Sequence, residues 1–182
     1  MVSDPPYFSH IGFDSNHGYS QAMPILDDLD WKLLAHLQKN ARVTTAELGR
    51  QFDLSAPGVQ KRLRRLEKHG VIERYVTVIN REAVGLDLMC FVLVMLAHHR
   101  PDSVKKFRTS VAALPEVLEC HNLTGEFDCI LKVVVANHQE LQQFTERLMK
   151  IGAVDRLRTS IVLEEIKSGT GLPLQRRPKG AQ

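Results

Sequence analysis

The chain has 182 residues, of which 43% are hydrophobic and 25% charged, and its formal net charge is +3. This length and composition are typical of one medium or two small globular domains. The longest uncharged apolar stretch, residues 88–97, is too short for a membrane span of roughly twenty residues, and three cysteines without a C-x-x-C pair argue against a disulfide scaffold or a structural zinc site.

The charge is distributed unevenly along the chain. Residues 39–81 carry a net charge of +6 and residues 167–182 a net charge of +4, whereas residues 1–38 and 82–166 carry −4 and −3. A local basic segment is typical of a nucleic-acid binder. Charge alone leaves a solvated helix face open as the alternative.

Residues 1–25 are predicted to be a disordered extension, because polar residues and glycine are frequent there and no apolar periodicity is present. The segment has neither the basic start nor the continuous apolar region of a secretory signal, so we expect a cytoplasmic protein. Translation from Met23 instead of Met1 is a further hypothesis, since Met23 immediately precedes the first periodic segment.

Residues 26–81 are predicted to form three helices followed by a strand. Apolar residues at helical spacing place the first helix at 28–39. The second helix begins with a capping box at 44–47, and Ser55 caps a third helix at 56–69 that Gly70 ends. The β-branched and aromatic residues of 71–79 predict a strand.

Residues 82–167 have the order β-α-β-β-α-β, which is the ferredoxin-like pattern. The predicted strands and helices lie at 88–97, 102–114, 117–123, 127–135, 139–151 and 154–166. Both alternating sets of side chains on the first strand are apolar, so one sheet face is expected to meet the helices and the other a second subunit. Residues 168–182 are predicted to be a flexible basic tail.

The helix pair at 44–69 has the plan of a helix-turn-helix motif, whose second helix enters the major groove of DNA. Val59, Leu63 and Leu66 are spaced to dock on the other helices, and the polar face should point away from them. Its side chains can pair with bases or phosphates. The predicted DNA-contacting residues are Thr45, Ser55, Ala56, Pro57, Gly58, Gln60, Lys61, Arg62, Arg64, Arg65 and Lys68, with Arg62 nearer the flank. A helical hairpin with a charged outer face is the alternative.

Five stretches of this sequence, taken together, resemble one known family. They are L-D-D-L-D-W-K-L-L at 26–34, T-A-E-L at 45–48, L-S-A-P-G-V-Q-K-R-L-R-R-L-E-K-H-G-V-I at 54–72, E-C-H-N-L-T-G-E-F-D at 119–128 and R-T-S-I-V-L-E-E-I-K at 158–167. In this order and spacing they are similar to the Lrp/AsnC family of transcription regulators. The resemblance implies an α+β chain in which a winged helix-turn-helix domain, 26–81, precedes a ferredoxin-like domain, 82–167, that binds an amino-acid effector and oligomerises.

The resemblance also implies an effector-response region around the turn at 124–128. Its residues are Asn122, Leu123, Thr124, Gly125, Glu126, Phe127, Asp128, Ser160, Ile161 and Val162. From the residues alone, Gly125 permits positive φ and Asp128 can pair with an ammonium group, while an ordinary hairpin turn is the alternative. One departure from the family is Asp53, which stands where glycine is common and which tolerates the left-handed conformation. A second is Glu126, where aspartate is common.

These observations predict a sequence-specific DNA-binding regulator that responds to an amino acid or a related small effector. We expect a homodimer, and a larger homo-oligomer, that binds a pseudo-palindromic site in double-stranded DNA. No G-x-S-x-G, H-E-x-x-H or P-loop motif occurs, so we expect neither an enzyme nor a metal site or further cofactor. A ligand-independent DNA-binding or nucleoid-associated protein and an amino-acid sensor without DNA binding remain alternatives.

Overall fold

The computed structural model describes residues 25–169 and 171–174, which fall into two compact units. The first unit contains residues 25–78 together with the described part of 167–174, and the second contains residues 79–166. The predictions made for residues 1–24 and 175–182 therefore lie outside the described residues. Within the described ranges, no helix combines the length and the apolar character that a membrane span requires.

Three capped helices form the first unit. They are α1 (Asp28–Lys39), α2 (Thr45–Phe52) and α3 (Ala56–Lys68). The side chains of Asp27, Thr44 and Ser55 each accept a hydrogen bond from a backbone amide of the first helical turn. The predicted capping box is confirmed, since the Glu47 carboxylate accepts from the Thr44 amide in return. Residues 171–174 belong to the same unit, where the Leu172 amide donates to the Gln38 side chain at 2.6 Å.

The core of the first unit is made of apolar side chains from all three helices. Its buried members are Leu33, Leu37, Leu48 and Val59. Leu63 packs against this cluster and Leu66 is fully buried, so the docking face predicted for α3 is confirmed.

The corner between α2 and α3 depends on two backbone positions. Asp53 has φ 55° and ψ 49°, which confirms the left-handed conformation expected there. The Leu54 amide donates to the Gly49 carbonyl at 2.8 Å, and a Cβ atom at Gly49 would lie 2.6 Å from the Leu54 carbonyl oxygen. The chain therefore turns so tightly that position 49 has no room for a side chain.

The strand predicted at 71–79 is wrong. This stretch pairs with no described strand, and Tyr75, Val76, Val78 and Ile79 are exposed. β-branched residues favour extended backbone, but a strand also needs a partner that completes its hydrogen bonds. Tyr75 instead donates a hydrogen bond to Glu67 at 2.9 Å.

The second unit contains one antiparallel sheet and two helices in the predicted order. After a 3₁₀ turn at Glu82–Val84, its elements are β1 (Leu88–Leu96), α4 (Pro101–Ala112), β2 (Val117–Asn122), β3 (Cys129–Val135), α5 (His138–Met149) and β4 (Val154–Ile161). The sheet order is β2-β3-β1-β4, and each neighbouring pair is antiparallel. The ferredoxin-like arrangement predicted from the sequence is thus confirmed.

The core of this unit lies between one face of the sheet and the two helices. Cys90, Val92 and Val94 of β1 are fully buried against side chains such as Phe107 of α4 and Phe144 of α5. On the opposite sheet face Met89 is buried, Leu93 is half-buried and Phe91 is 37% exposed. Both faces of β1 are apolar, as the alternation in the sequence predicted.

All four strands are shorter than predicted, β1 and β2 by one residue and β3 and β4 by more. The last strand was expected to continue to residue 166, but Ile161 already pairs with Cys90 and the Val162 amide donates to Met89 near the start of β1. Beyond that point Leu163 and Ile166 are almost fully exposed. Similarly, β3 begins at Cys129 instead of 127, because the two preceding residues belong to the turn.

Candidate nucleic-acid interface and effector turn

The polar face of α3 is the candidate nucleic-acid interface. Gln60, Lys61, Arg64 and Lys68 are exposed on it. At the start of the helix Ser55 and Pro57 are exposed, while Ala56 and Gly58 are half-buried, as is Thr45 at the start of α2.

Three cations of this face form a stripe along the helix. Lys61, Arg64 and Lys68 are spaced three and four residues apart, which places them on one side of α3. No carboxylate of the described residues pairs with any of the three. Lysine and arginine at such positions neutralise phosphates, and an arginine fork can also pair with a guanine edge.

Arg62 and Arg65 point in another direction. The expectation that Arg65 faces away from the helical unit is wrong, because its Nη2 contacts the carboxylate of Asp30 on α1. Arg62 Nη1 lies 2.6 Å from Asp27 Oδ2 and 3.0 Å from Asp30 Oδ1. Both arginines therefore connect α3 to the start of α1.

Sequence reasoning missed this ion-pair cluster. From the sequence alone, Asp27 and Asp30 are accounted for as acids at a helix start, where the helix dipole favours negative charge. The pattern that could have revealed it is the equal spacing of two acids and two arginines, three residues apart on each helix. The hydrogen bond from the Asp30 amide, and then the one from Arg62, hold the pKa of Asp27 below its ordinary value.

The candidate effector turn connects β2 to β3. Residues 123–126 are exposed, and the Leu123 amide closes the turn by donating to the Asp128 carbonyl at 2.8 Å. Gly125 has φ 121°, a conformation that favours glycine, and a Cβ atom there would meet nothing within 4 Å. The positive φ expected at Gly125 is confirmed.

The Asp128 carboxylate already has partners inside its own unit. Its Oδ2 accepts a hydrogen bond from the Leu96 amide at 2.8 Å, and its Oδ1 lies 2.6 Å from His99 Nε2. Burial raises the pKa of Asp128, but these two hydrogen bonds outweigh it and hold the pKa below its ordinary value. The side chain is 25% exposed, so it is partly accessible from solvent.

Arg156 of β4 also lies against the turn, and sequence reasoning did not find it. Its Nη2 donates to Glu126 Oε1 at 2.8 Å, and its guanidinium lies 5.5 Å from the centre of the Phe127 ring. The contact brings an exposed cation to the turn from a strand that is distant in sequence.

The two halves of the predicted effector set are not brought together within one chain. β2, which ends in Asn122, and β4, which carries Ser160, are opposite edges of the sheet. Ser160 pairs with Phe91, three residues along β1 from the Val94 carbonyl that contacts the turn. Asn122 itself accepts a hydrogen bond from the Cys129 thiol at 3.3 Å.

Two family models match this chain. Residues 26–73 match a model of winged helix-turn-helix DNA-binding domains, and residues 89–172 match a model of the Lrp/AsnC ligand-binding domain.

Curated relatives are similar over most of their length. The leucine-responsive regulatory protein of Escherichia coli K12 is 34% identical over 153 residues, which cover 84% of this chain and 93% of the relative. The protein of the same name from Haemophilus influenzae is 34% identical over 151 residues, covering 82% and 91%.

Solved structures show the same likeness. A transcriptional regulator from Neisseria meningitidis in complex with L-methionine superposes with a TM-score of 0.78 at 36% identity, covering 82% of this chain and 97% of that one. A feast or famine regulatory protein from M. tuberculosis, complexed with L-methionine, superposes with a TM-score of 0.72 at 33% identity, covering 81% and 98%.

Proposed function

Because this chain belongs to the Lrp/AsnC family of DNA-binding transcriptional regulators, we propose that it binds DNA through the exposed face of α3 and changes its affinity in response to a free amino acid. The protein acts in the cytoplasm as a homodimer or a larger homo-oligomer. Its two-fold symmetry presents paired recognition helices to a pseudo-palindromic site.

The observation that carries the proposal is the cation stripe on α3. Lys61, Arg64 and Lys68 are exposed without carboxylate partners in the described chain, on a helix whose start is capped by Ser55. Gln60 is the side chain that reads a base, whereas Lys61, Arg64 and Lys68 neutralise phosphates. The small residues Ala56 and Gly58 allow the start of the helix to enter the groove.

The effector site is proposed at the turn of residues 123–128, where a second subunit supplies the residues of 160–162 that one chain keeps apart. L-Methionine in two structural relatives supports a free amino acid as the effector class. The partly exposed carboxylate of Asp128 pairs with the ammonium group. A typical coupling of about 1–3 kcal/mol between two sites would change DNA affinity several-fold.

DNA binding is tested by fluorescence anisotropy with a duplex selected by the protein from a randomised library. Replacing Lys61, Arg64 and Lys68 together by alanine is expected to abolish specific binding and to reduce the dependence of affinity on salt. The matched control replaces three cations of the second unit, Lys105, Lys106 and Lys150. Unchanged binding by the α3 variant would reject this interface.

The effector is tested by a thermal-shift screen of the twenty amino acids, with each hit then tested for an effect on DNA affinity. Asp128→Asn keeps an acceptor for the Leu96 amide but removes the negative charge, so it is expected to abolish the hit and to preserve DNA binding. If no amino acid stabilises the protein, a ligand-independent DNA-binding regulator replaces this part of the proposal. A hit without any DNA binding would favour an amino-acid sensor instead.

A further inference from the structure

We propose that Asp30 is a positioning residue for DNA binding, because its buried carboxylate holds Arg62 and Arg65 and thereby sets which face of α3 meets DNA. This inference rests on the proposed role of α3. It assigns to two of the four closely spaced cations at 61–65 a function inside the protein instead of a contact with DNA.

Asp30 is the buried charged residue of the described chain, with no exposed surface. A buried carboxylate is strongly unfavourable unless its oxygens are paired. Asp30 Oδ1 accepts from Arg62 at 3.0 Å, and Oδ2 accepts from Arg65 and from the Asp27 amide, the latter at 3.0 Å. Together these partners offset the burial of the charge.

The environment of Arg65 also favours its contact with Asp30. Its Nε is buried and has no acceptor among the described residues, so the base of the guanidinium is enclosed in the unit. If Arg65 turned toward a phosphate, it would leave part of the Asp30 charge buried and unpaired. Removing one partner of a buried ion pair is strongly destabilising, and this penalty opposes a turn of Arg65 toward a phosphate.

Asp30 therefore divides the cations of α3 into two groups. Arg62 and Arg65 face α1, and Lys61 and Arg64, each one residue earlier, are left exposed. One residue corresponds to about 100° of rotation around a helix axis. A rotation of α3 by that amount would bring Arg62 and Arg65 to the positions that Lys61 and Arg64 occupy, and the contacts of the two arginines with the buried carboxylate oppose it.

The first test compares two neighbouring arginines in the full-length protein. Kd for the selected duplex is measured against salt concentration for Arg64→Ala and Arg65→Ala. Arg64→Ala is expected to weaken binding and to lower the slope of log Kd against log salt by roughly 0.9 for each phosphate that the side chain no longer neutralises. Arg65→Ala is expected to weaken binding several-fold with the slope unchanged, since the number of counterions released from DNA stays the same.

The second test is a double-substitution cycle. Asp30→Asn is expected to raise Kd several-fold, and adding Arg65→Ala to it should change Kd by less than about twofold, because both residues act through one contact. Adding Arg64→Ala to Asp30→Asn should raise Kd by the same factor as Arg64→Ala does in the unchanged protein. Circular dichroism identifies the variants that remain folded. If Asp30→Asn does not fold, the salt slopes of Arg64→Ala and Arg65→Ala alone test the positioning role.

The outcomes separate this inference from the proposed function. A slope for Arg65→Ala as low as that for Arg64→Ala, or full additivity of Asp30→Asn and Arg65→Ala, would overturn the positioning role alone. If neither arginine variant changed the slope or the affinity, α3 would instead be rejected as the DNA-binding helix.

Discussion

The backbone amide of Leu96, at the end of β1, donates a 2.8 Å hydrogen bond to Asp128 Oδ2 in the turn before β3. The Asp128 amide in turn donates to the Val94 carbonyl at 2.9 Å. Through these two hydrogen bonds Asp128 connects the candidate effector turn to β1, an inner strand of the sheet. The residue that the sequence singles out for a ligand's ammonium group already has a structural role without one.

This hydrogen bond predicts a stability effect of Asp128→Ala. The variant leaves the partly buried Leu96 amide without an acceptor, which is expected to destabilise the protein by about 1–3 kcal/mol in urea unfolding. Asp128→Asn retains an oxygen at that position and should be destabilised less. His99→Ala, which removes the exposed partner, should stay within about 0.5 kcal/mol of the unchanged protein. Equal stability of Asp128→Ala and the unchanged protein would contradict this role.

A second prediction concerns the left-handed residue in the helix-turn-helix corner. Asp53→Gly removes the steric cost of φ 55°, while the greater freedom of glycine in the unfolded chain offsets part of the gain. We expect a net increase of about 0.5–1 kcal/mol in the free energy of unfolding. Asp53→Val, which tolerates this conformation poorly, is expected to change stability in the opposite direction. A lower free energy of unfolding in both variants would show instead that the Asp53 side chain stabilises the corner.

The adjacent close approach predicts that Gly49→Ala is harmful. Its Cβ would lie 2.6 Å from the Leu54 carbonyl oxygen, so the backbone of the corner must move. Displacements of this kind in a packed region cost about 1–3 kcal/mol. Gly169→Ala is the matched control, because a Cβ there meets nothing within 4 Å. Comparable thermal unfolding of both variants would disprove the constraint.

The parts of the fold that local chemistry specifies could be predicted from the sequence. The bounds of α1, the Thr44–Glu47 capping box at the start of α2 and the left-handed Asp53 follow from residues only a few positions apart. The predicted ends of α4 and α5 lie within two residues of the observed ends, for the same reason. The alternation along β1 likewise revealed that both faces of the sheet are apolar.

Features that depend on a distant partner could not be predicted in this way. Composition favoured a strand at 71–79, but whether it forms depends on a neighbouring strand. Helical spacing placed Arg65 on the outer face, and the contact with Asp30, 35 residues earlier, reversed that orientation. The contact of Arg156 with Glu126 depends on the register between β1 and β4, which cannot be derived from the sequence alone.

The Asp27 carboxylate predicts an acid-dependent loss of stability in the DNA-binding unit. Its pKa is below the ordinary value of 3.8, so the stabilisation is complete above that value and is lost as the pH falls through the lower, folded-state pKa. Asp27→Asn is expected to be less stable at neutral pH and to lose less stability between about pH 5 and pH 2, the range in which carboxyl groups ordinarily titrate. Denaturant unfolding across this pH range measures the free energy of unfolding of both proteins. If that free energy falls equally in both as the pH falls, the predicted contribution of Asp27 is excluded.

The last prediction concerns the apolar sheet face that α4 and α5 do not cover. Phe91 lies at its centre, between Lys132 of β3 and Ser160 of β4, and is 37% exposed. An aromatic side chain at the middle of an open sheet face is a typical anchor of a two-fold interface.

We therefore expect Phe91→Glu to convert the assembly toward monomers, because each interface would bury two unpaired charges. Sedimentation velocity at micromolar concentration measures the change, and circular dichroism confirms that the variant is folded. Met149→Glu, at an exposed position of α5, is the control and should keep the assembly of the unchanged protein. If Phe91→Glu assembles like the control, this sheet face is not the interface. A stable monomer of the unchanged protein would refute the oligomer itself, and with it the need for a two-fold symmetric DNA site.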